Sequence, residues 1–214
     1  MRCLTSRLSQ RRLRDIPFVT HLQQVAIHKG DLGKSFEKSP FGKAIWMESE
    51  FILTPETHTF HLPTGECTIT LEDVVLLLGL RVGGKAVTGS TMVSWTDDFL
   101  DLVGVMPPES QRKWNFIKLK WLREAFSMLT PESSNEEIII HCRAYILELI
   151  GGILMPDKSH NRVHIMWLHL LRDLRETGQY SWGSTCLTTL YRELCRASEP
   201  GVMSIGGCSH LLQT

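Results

Sequence analysis

The chain has 214 residues, 43% of them hydrophobic, with 23 Lys and Arg set against 23 Asp and Glu. Such a length allows one domain of ordinary size with its own core. Zero net charge excludes a uniformly basic nucleic-acid binder, and no apolar run reaches the roughly 18 residues that a membrane-spanning helix needs. The neutrality conceals an asymmetry. Residues 1–43 hold nine Lys and Arg and three Asp and Glu, a surplus of six positive charges, and the remainder holds fourteen against twenty, a deficit of six. The six cysteines, Cys3, Cys67, Cys142, Cys186, Cys195 and Cys208, form no Cys-x-x-Cys pair and read as buried thiols in a reducing compartment.

Residues 1–43 read as a basic, poorly ordered leader, and 44–214 as the domain. Arg2, Arg7, Arg11, Arg12 and Arg14 with Ser6 and Ser9 share the composition of an organelle transit peptide, but Asp15 and the lack of a sustained apolar face favour a solvated leader. A helix is expected over residues 44–51, closed by Pro55. Residues 57–80 then read as strand, turn, strand, helix. Phe60 alternates with His61 along the first strand, Pro63-Thr64-Gly65 is turn chemistry, and Cys67 and Ile69 share one face of the return. Thr70 with Asp73 makes a capping box. Val74, Val75, Leu76, Leu77 and Leu78 are apolar nearly all round, so this helix is expected to be buried, with Gly79-Leu80 as its stop.

Further along, Gly83-Gly84 and Gly89 mark a turn-rich connection. Ser90 or Ser94 caps a helix carrying Phe99, Leu102 and Val103, ended by Pro107-Pro108. Trp114, Ile117, Trp121, Leu122 and Ala125 fall at helical spacing and predict a helix over 110–129. Ser134 with Glu137 caps the next helix, which Gly151-Gly152 ends. Val163, Met166, Trp167, Leu170, Leu171 and Leu174 form the cleanest helical stripe, and a last helix presents Leu187, Leu190, Tyr191 and Leu194. The fold class is therefore mainly α, a helical domain with one small antiparallel β-hairpin near its N-terminal end.

The pattern Phe60-His-Leu-Pro-Thr-Gly-Glu-Cys-Thr-Ile-Thr-Leu-Glu-Asp-Val74 resembles the signature of the plant mobile domain family, the module of maintenance-of-meristems proteins and of some transposon-encoded proteins. Pro156-Asp157-Lys158-Ser159, Leu170 to Leu174, Tyr180-Ser181-Trp182-Gly183-Ser184, Leu190 to Cys195 and Ile205-Gly206-Gly207-Cys208 resemble further family blocks in order. Met155 stands where the family has phenylalanine. The family also has a basic, tryptophan-containing approach to Pro55 and continues past Gln213 into a tryptophan-rich helix, so the domain is expected to be incomplete at its C-terminus. The resemblance implies a non-enzymatic nuclear protein acting in transposable-element silencing, genome stability and meristem maintenance. It would work through protein partners such as a phosphatase-like protein. The alternatives are a truncated transposon-derived copy without cellular function and a cryptic transferase, and an organelle is the alternative location.

Each candidate chemistry has a plainer reading. The family's "aminotransferase-like" label calls for a Schiff-base lysine and a phosphate cradle. Lys158 beside Asp157 sits in a turn, and no Gly-rich loop follows a strand. His160 and His164 would share a helix face, with His169 or Asp157 near, but no glutamate lies between them; His58 and His61 point to opposite faces of a strand. Ser181 is not in a Gly-x-Ser-x-Gly elbow, and it or Ser184 reads as a helix N-cap. His141 and Cys142 are adjacent and do not face each other. No catalytic residue, cofactor or metal is expected. Arg112, Lys113, Trp114, Phe116, Lys118, Lys120, Trp121 and Arg123 combine charge with rings, but a helix would separate them into a solvated and a buried stripe. Weak phosphate contact is assigned instead to the N-terminal arginines. Glu66, Asp73, Trp182, Tyr191 and Arg192 remain as candidate interaction residues, with Tyr191 and Arg192 expected to form an aromatic–arginine patch beside the Trp182 segment.

Overall fold

A computed structural model of the chain describes residues 52–62, 65–88, 95–130, 132–199 and 204–212. The leader, the expected helix over 44–51, Pro63-Thr64, Gly89, the caps at Ser90 and Ser94 and the Pro200-Gly201 stop lie outside them.

Three short strands, β1 (Ile52–Thr54), β2 (Thr59–Leu62) and β3 (Gly65–Cys67), form an antiparallel sheet in chain order. The expected hairpin is β2–β3, and β1 is the strand that proline-bounded Ile52-Leu53-Thr54 did not announce. Helix α1 (Leu71–Leu78) starts at the predicted box: Thr70 Oγ1 accepts from Asp73 N at 3.2 Å and Asp73 Oδ2 accepts from Thr70 N at 2.7 Å. Gly79 ends it at φ 61, a conformation only glycine adopts freely, and Leu80 folds back into the core. Helix α2 (Trp95–Val103) buries Phe99, Leu102 and Val103 as expected.

The predicted helix over 110–129 is replaced by two strands and a short helix. Strands β4 (Arg112–Lys113), β5 (Phe116–Lys118) and β6 (Arg162–His164) make a second antiparallel sheet, followed after β5 by α3 (Leu119–Ala125). Ile117 lies opposite both Arg112 and Val163, and its side chain is in the core. Trp114, far from joining an apolar stripe, is 84% exposed at φ 56 in the two-residue turn between β4 and β5. A left-handed backbone costs an L-residue roughly 1–2 kcal/mol, and glycine is the favoured first residue of such a turn. Trp114→Gly is therefore expected to stabilise the fold by about 1 kcal/mol, read as a raised thermal midpoint.

Helix α4 (Asn135–Leu149) begins at the predicted Ser134–Glu137 box, with both bonds in place at 3.2 and 2.7 Å. The glycines do not stop it. The chain continues as a π-helical turn, Ile150–Leu154, closed by Met155 N donating to Ile150 O at 2.8 Å. Gly151 is there for close approach to β6, since a Cβ would stand 2.5 Å from Val163 Cβ. The stripe from Val163 to Leu174 is likewise not one α-helix: it is β6, a 3-10 segment (Ile165–Leu171) and the single turn α5 (Leu174–Thr177). Helix α6 (Trp182–Ala197) buries Leu187, Leu190 and Leu194, and a 3-10 turn (Ser209–Leu212) closes the described chain. The mainly helical expectation holds, with two three-stranded sheets among the described residues in place of one hairpin. Of the thiols, Cys142, Cys186 and Cys208 are buried, but Cys195 is intermediate and Cys67 is exposed, because β3 lies at the edge of its sheet and is exposed along its whole length. Burial pushes the Cys142 thiol up to about 12.

Candidate interaction surface

The signature stretch is tied down by the later sequence blocks. Helix α6 begins against residues 81–85, whose carbonyls accept the groups at its N-terminus: Gly183 N to Arg81 O at 2.9 Å, Ser181 N to Lys85 O at 2.8 Å, Ser181 Oγ to Lys85 O at 3.0 Å, and Ser184 Oγ to Val82 O. An N-terminus needs such acceptors for its free N–H groups. Ser181 occupies the N-cap position but caps no helix N–H with its side chain. Gly183 lets α1 close on α6, since a Cβ there would stand 3.0 Å from Val74 Cγ1 and 2.9 Å from Val82 Cγ1.

About two turns later, the Tyr191 hydroxyl meets Thr68 Oγ1 at 2.6 Å and donates to Ile69 O, while His58 packs its ring 4.8 Å from the phenol. Tyr191 thus pins the end of the sheet to α6. Tyr191→Phe is expected to cost roughly 1–2 kcal/mol in denaturant unfolding, by leaving the Ile69 carbonyl short of its donor. Glu193 is buried and accepts from Gly206 N at 3.3 Å and Arg196 Nη1 at 3.1 Å. Gly207 N donates to Pro156 O at 2.9 Å, so the Ile205-Gly206-Gly207-Cys208 block meets the Pro156-Asp157 turn.

The candidate interaction residues divide by exposure. Glu66 is exposed and lies opposite His61, with Oε1 3.2 Å from Nδ1. Asp73 is committed to the cap, and the hydrogen bonds from Thr70 hold its carboxyl below the usual range. Arg192 is exposed on α6. Trp182 is only 1% exposed: its indole N–H donates to Thr177 O at 2.8 Å and its ring meets Trp167 and Tyr180. Trp182 itself therefore offers no surface, while Tyr191 is half-buried and Arg192, next to it in α6, is exposed. Lys158 is exposed in its turn. His160 and His164 share no helix face; His160 Nε2 lies 3.1 Å from Ile205 O, and His164 Nδ1 accepts from Met166 N at 3.0 Å. Among the described residues no group of three His, Cys, Asp or Glu is placed to hold a metal ion.

What sequence reading missed is the outer face of α1. Val74 and Leu78, four apart, are the side chains it buries, while Leu76 is 74% exposed and Leu71, Val75 and Leu77 are 44%, 42% and 42% exposed. The expected burial all round is overturned, because α6 and the C-terminal 3-10 turn cover only one side. A signal was present: five successive apolar residues cannot share one face of a helix.

Residues 53–214 match the family model described as the plant mobile domain. The chain belongs to the plant mobile domain family. The domain is 50% identical over 159 residues to an Arabidopsis thaliana serine/threonine-protein phosphatase 7 long form homolog, covering 74% of this chain and 12% of that protein. It is 39% identical to Protein MAIN-LIKE 2 and 37% identical to Protein MAINTENANCE OF MERISTEMS, both of Arabidopsis thaliana, covering 74% of this chain each time and 24% and 33% of those proteins. The chain thus spans a third or less of the curated relatives it matches. No solved structure matches it.

Proposed function

We propose that this plant mobile domain chain is a non-enzymatic nuclear protein that acts in transposable-element silencing, genome stability and meristem maintenance by docking protein partners, a phosphatase-like protein among them. The observation that carries the reading is the apolar outer face of α1, with Leu76 at its centre and 74% exposed. Exposed apolar side chains gathered beside polar residues mark an interaction site, and Glu72 and the His61–Glu66 pair supply polar neighbours in the same signature. The polar groups of the family blocks have structural tasks, which supports docking over catalysis: Asp73 caps, Tyr191 pins the sheet, Ser181 and Ser184 hold residues 82–85, and Glu193 holds Gly206. The relatives' names, one for meristem maintenance and one for a phosphatase, agree with this reading.

The test is a pull-down from plant nuclear extract with the intact chain and with Leu76→Asp. An exposed position tolerates the change within about 0.5 kcal/mol, so circular dichroism should be unaltered. A phosphatase-like protein retained by the parent and reduced at least about tenfold by the variant is the expected result. Equal retention by both, or exclusion of the fluorescently tagged chain from nuclei, contradicts it.

A further inference from the structure

The tryptophan at the β4–β5 tip performs no packing task. A bulky side chain holds a positive φ only where some other gain compensates the strain, and at 84% exposure burial supplies none for Trp114. The register shows what surrounds it. Lys113 lies opposite Phe116, Phe116 opposite His164, and Lys118 opposite Arg162, so these five take the face turned away from buried Ile117 and Val163. The Phe116 ring is braced by His164, edge-on at 4.7 Å between centroids, and by the Arg162 guanidinium 5.9 Å from its centre.

The cations on this sheet keep donors to offer. Lys118 Nζ donates once, to Ser110 O at 2.9 Å, leaving two of its three N–H bonds. Arg162 meets Asp157 at 3.6 Å and Ser159 Oγ at 3.3 Å, both through Nε, one of several guanidinium donors. Lys113 is exposed beside the tryptophan. Cations interleaved with stackable rings on an open sheet face complement phosphates joined to unpaired bases. A duplex keeps its bases stacked away from such a ring, and a protein partner has no phosphate to match the cations. We propose that this face binds single-stranded nucleic acid, Trp114 stacking on a base while Lys113, Lys118 and Arg162 contact phosphates. The site is separate from the α1 face and independent of the docking role.

Fluorescence anisotropy with a labelled single-stranded DNA oligonucleotide of mixed sequence and the full chain tests it. Trp114→Gly should weaken binding about tenfold while the thermal midpoint stays at or above that of the parent, so that unfolding cannot account for the loss. Lys113→Ala should reduce the slope of log affinity against log salt by about 0.7. Arg175→Ala, which removes an exposed cation on α5, should change neither. Absence of binding at low salt, binding undiminished by both variants, an equal loss in Arg175→Ala, or equal affinity for the duplex of the same sequence overturns the proposal.

Discussion

Trp182→Ala should destabilise the domain by roughly 3–5 kcal/mol, the cost of removing a buried indole that its surroundings cannot refill. The side chain is among the largest in the core that solvent does not reach, and its N–H satisfies the Thr177 carbonyl at the end of α5. Thr177 is itself fully buried, with its hydroxyl donating to Leu170 O at 2.8 Å and Asp173 O at 2.9 Å. The substitution therefore loosens the start of α6 and the 3-10 segment together. Chemical denaturation with near-ultraviolet circular dichroism reads both. A variant as stable as the parent but defective in partner binding would return Trp182 to the surface role that its residue type invites.

Arg143→Met is expected to cost about 3 kcal/mol although no acidic partner is lost, because charged hydrogen bonds disappear and carbonyls lose their donor. From α4, the guanidinium donates to Leu102 O at 3.1 Å, Leu171 O at 3.0 Å and Arg172 O at 2.8 Å. Those carbonyls lie at the ends of α2 and the 3-10 segment, so one side chain ties two helix ends together. Burial and the neighbouring Arg172 lower the Arg143 pKa from its usual value, yet arginine stays charged at any ordinary pH. Arg143→Lys should recover little, since one ammonium cannot reach three acceptors in a fork. Denaturant midpoints for the two variants measure the difference.

The parts of this fold that were legible in sequence are those fixed by near neighbours. Thr70 with Asp73, Ser134 with Glu137, and Gly79 each act within four residues, and all three stand where the pattern placed them. Residues 112–118 were illegible for the opposite reason. Trp114, Ile117 and Trp121 satisfy helical spacing, and what makes β5 a strand is its pairing with β6, about 45 residues later. The same long-range pairing removes Val163 and His164 from the helix their spacing predicts. Gly151 looked like a stop when read alone, whereas its task is to admit Val163. For the site, residue type misled at Trp182 and burial misled at α1: a run of leucines states that apolar surface exists, not how much of it the rest of the chain covers.

The docking role of α1 is tested most directly by amide hydrogen exchange on the chain alone and in complex with the partner retained from nuclear extract. Protection that rises over residues 71–78 on binding, and is lost with Leu76→Asp, is the result expected from the exposed leucines. Unchanged exchange over those residues, with protection confined to other segments, would show that the signature helix is not where the partner binds.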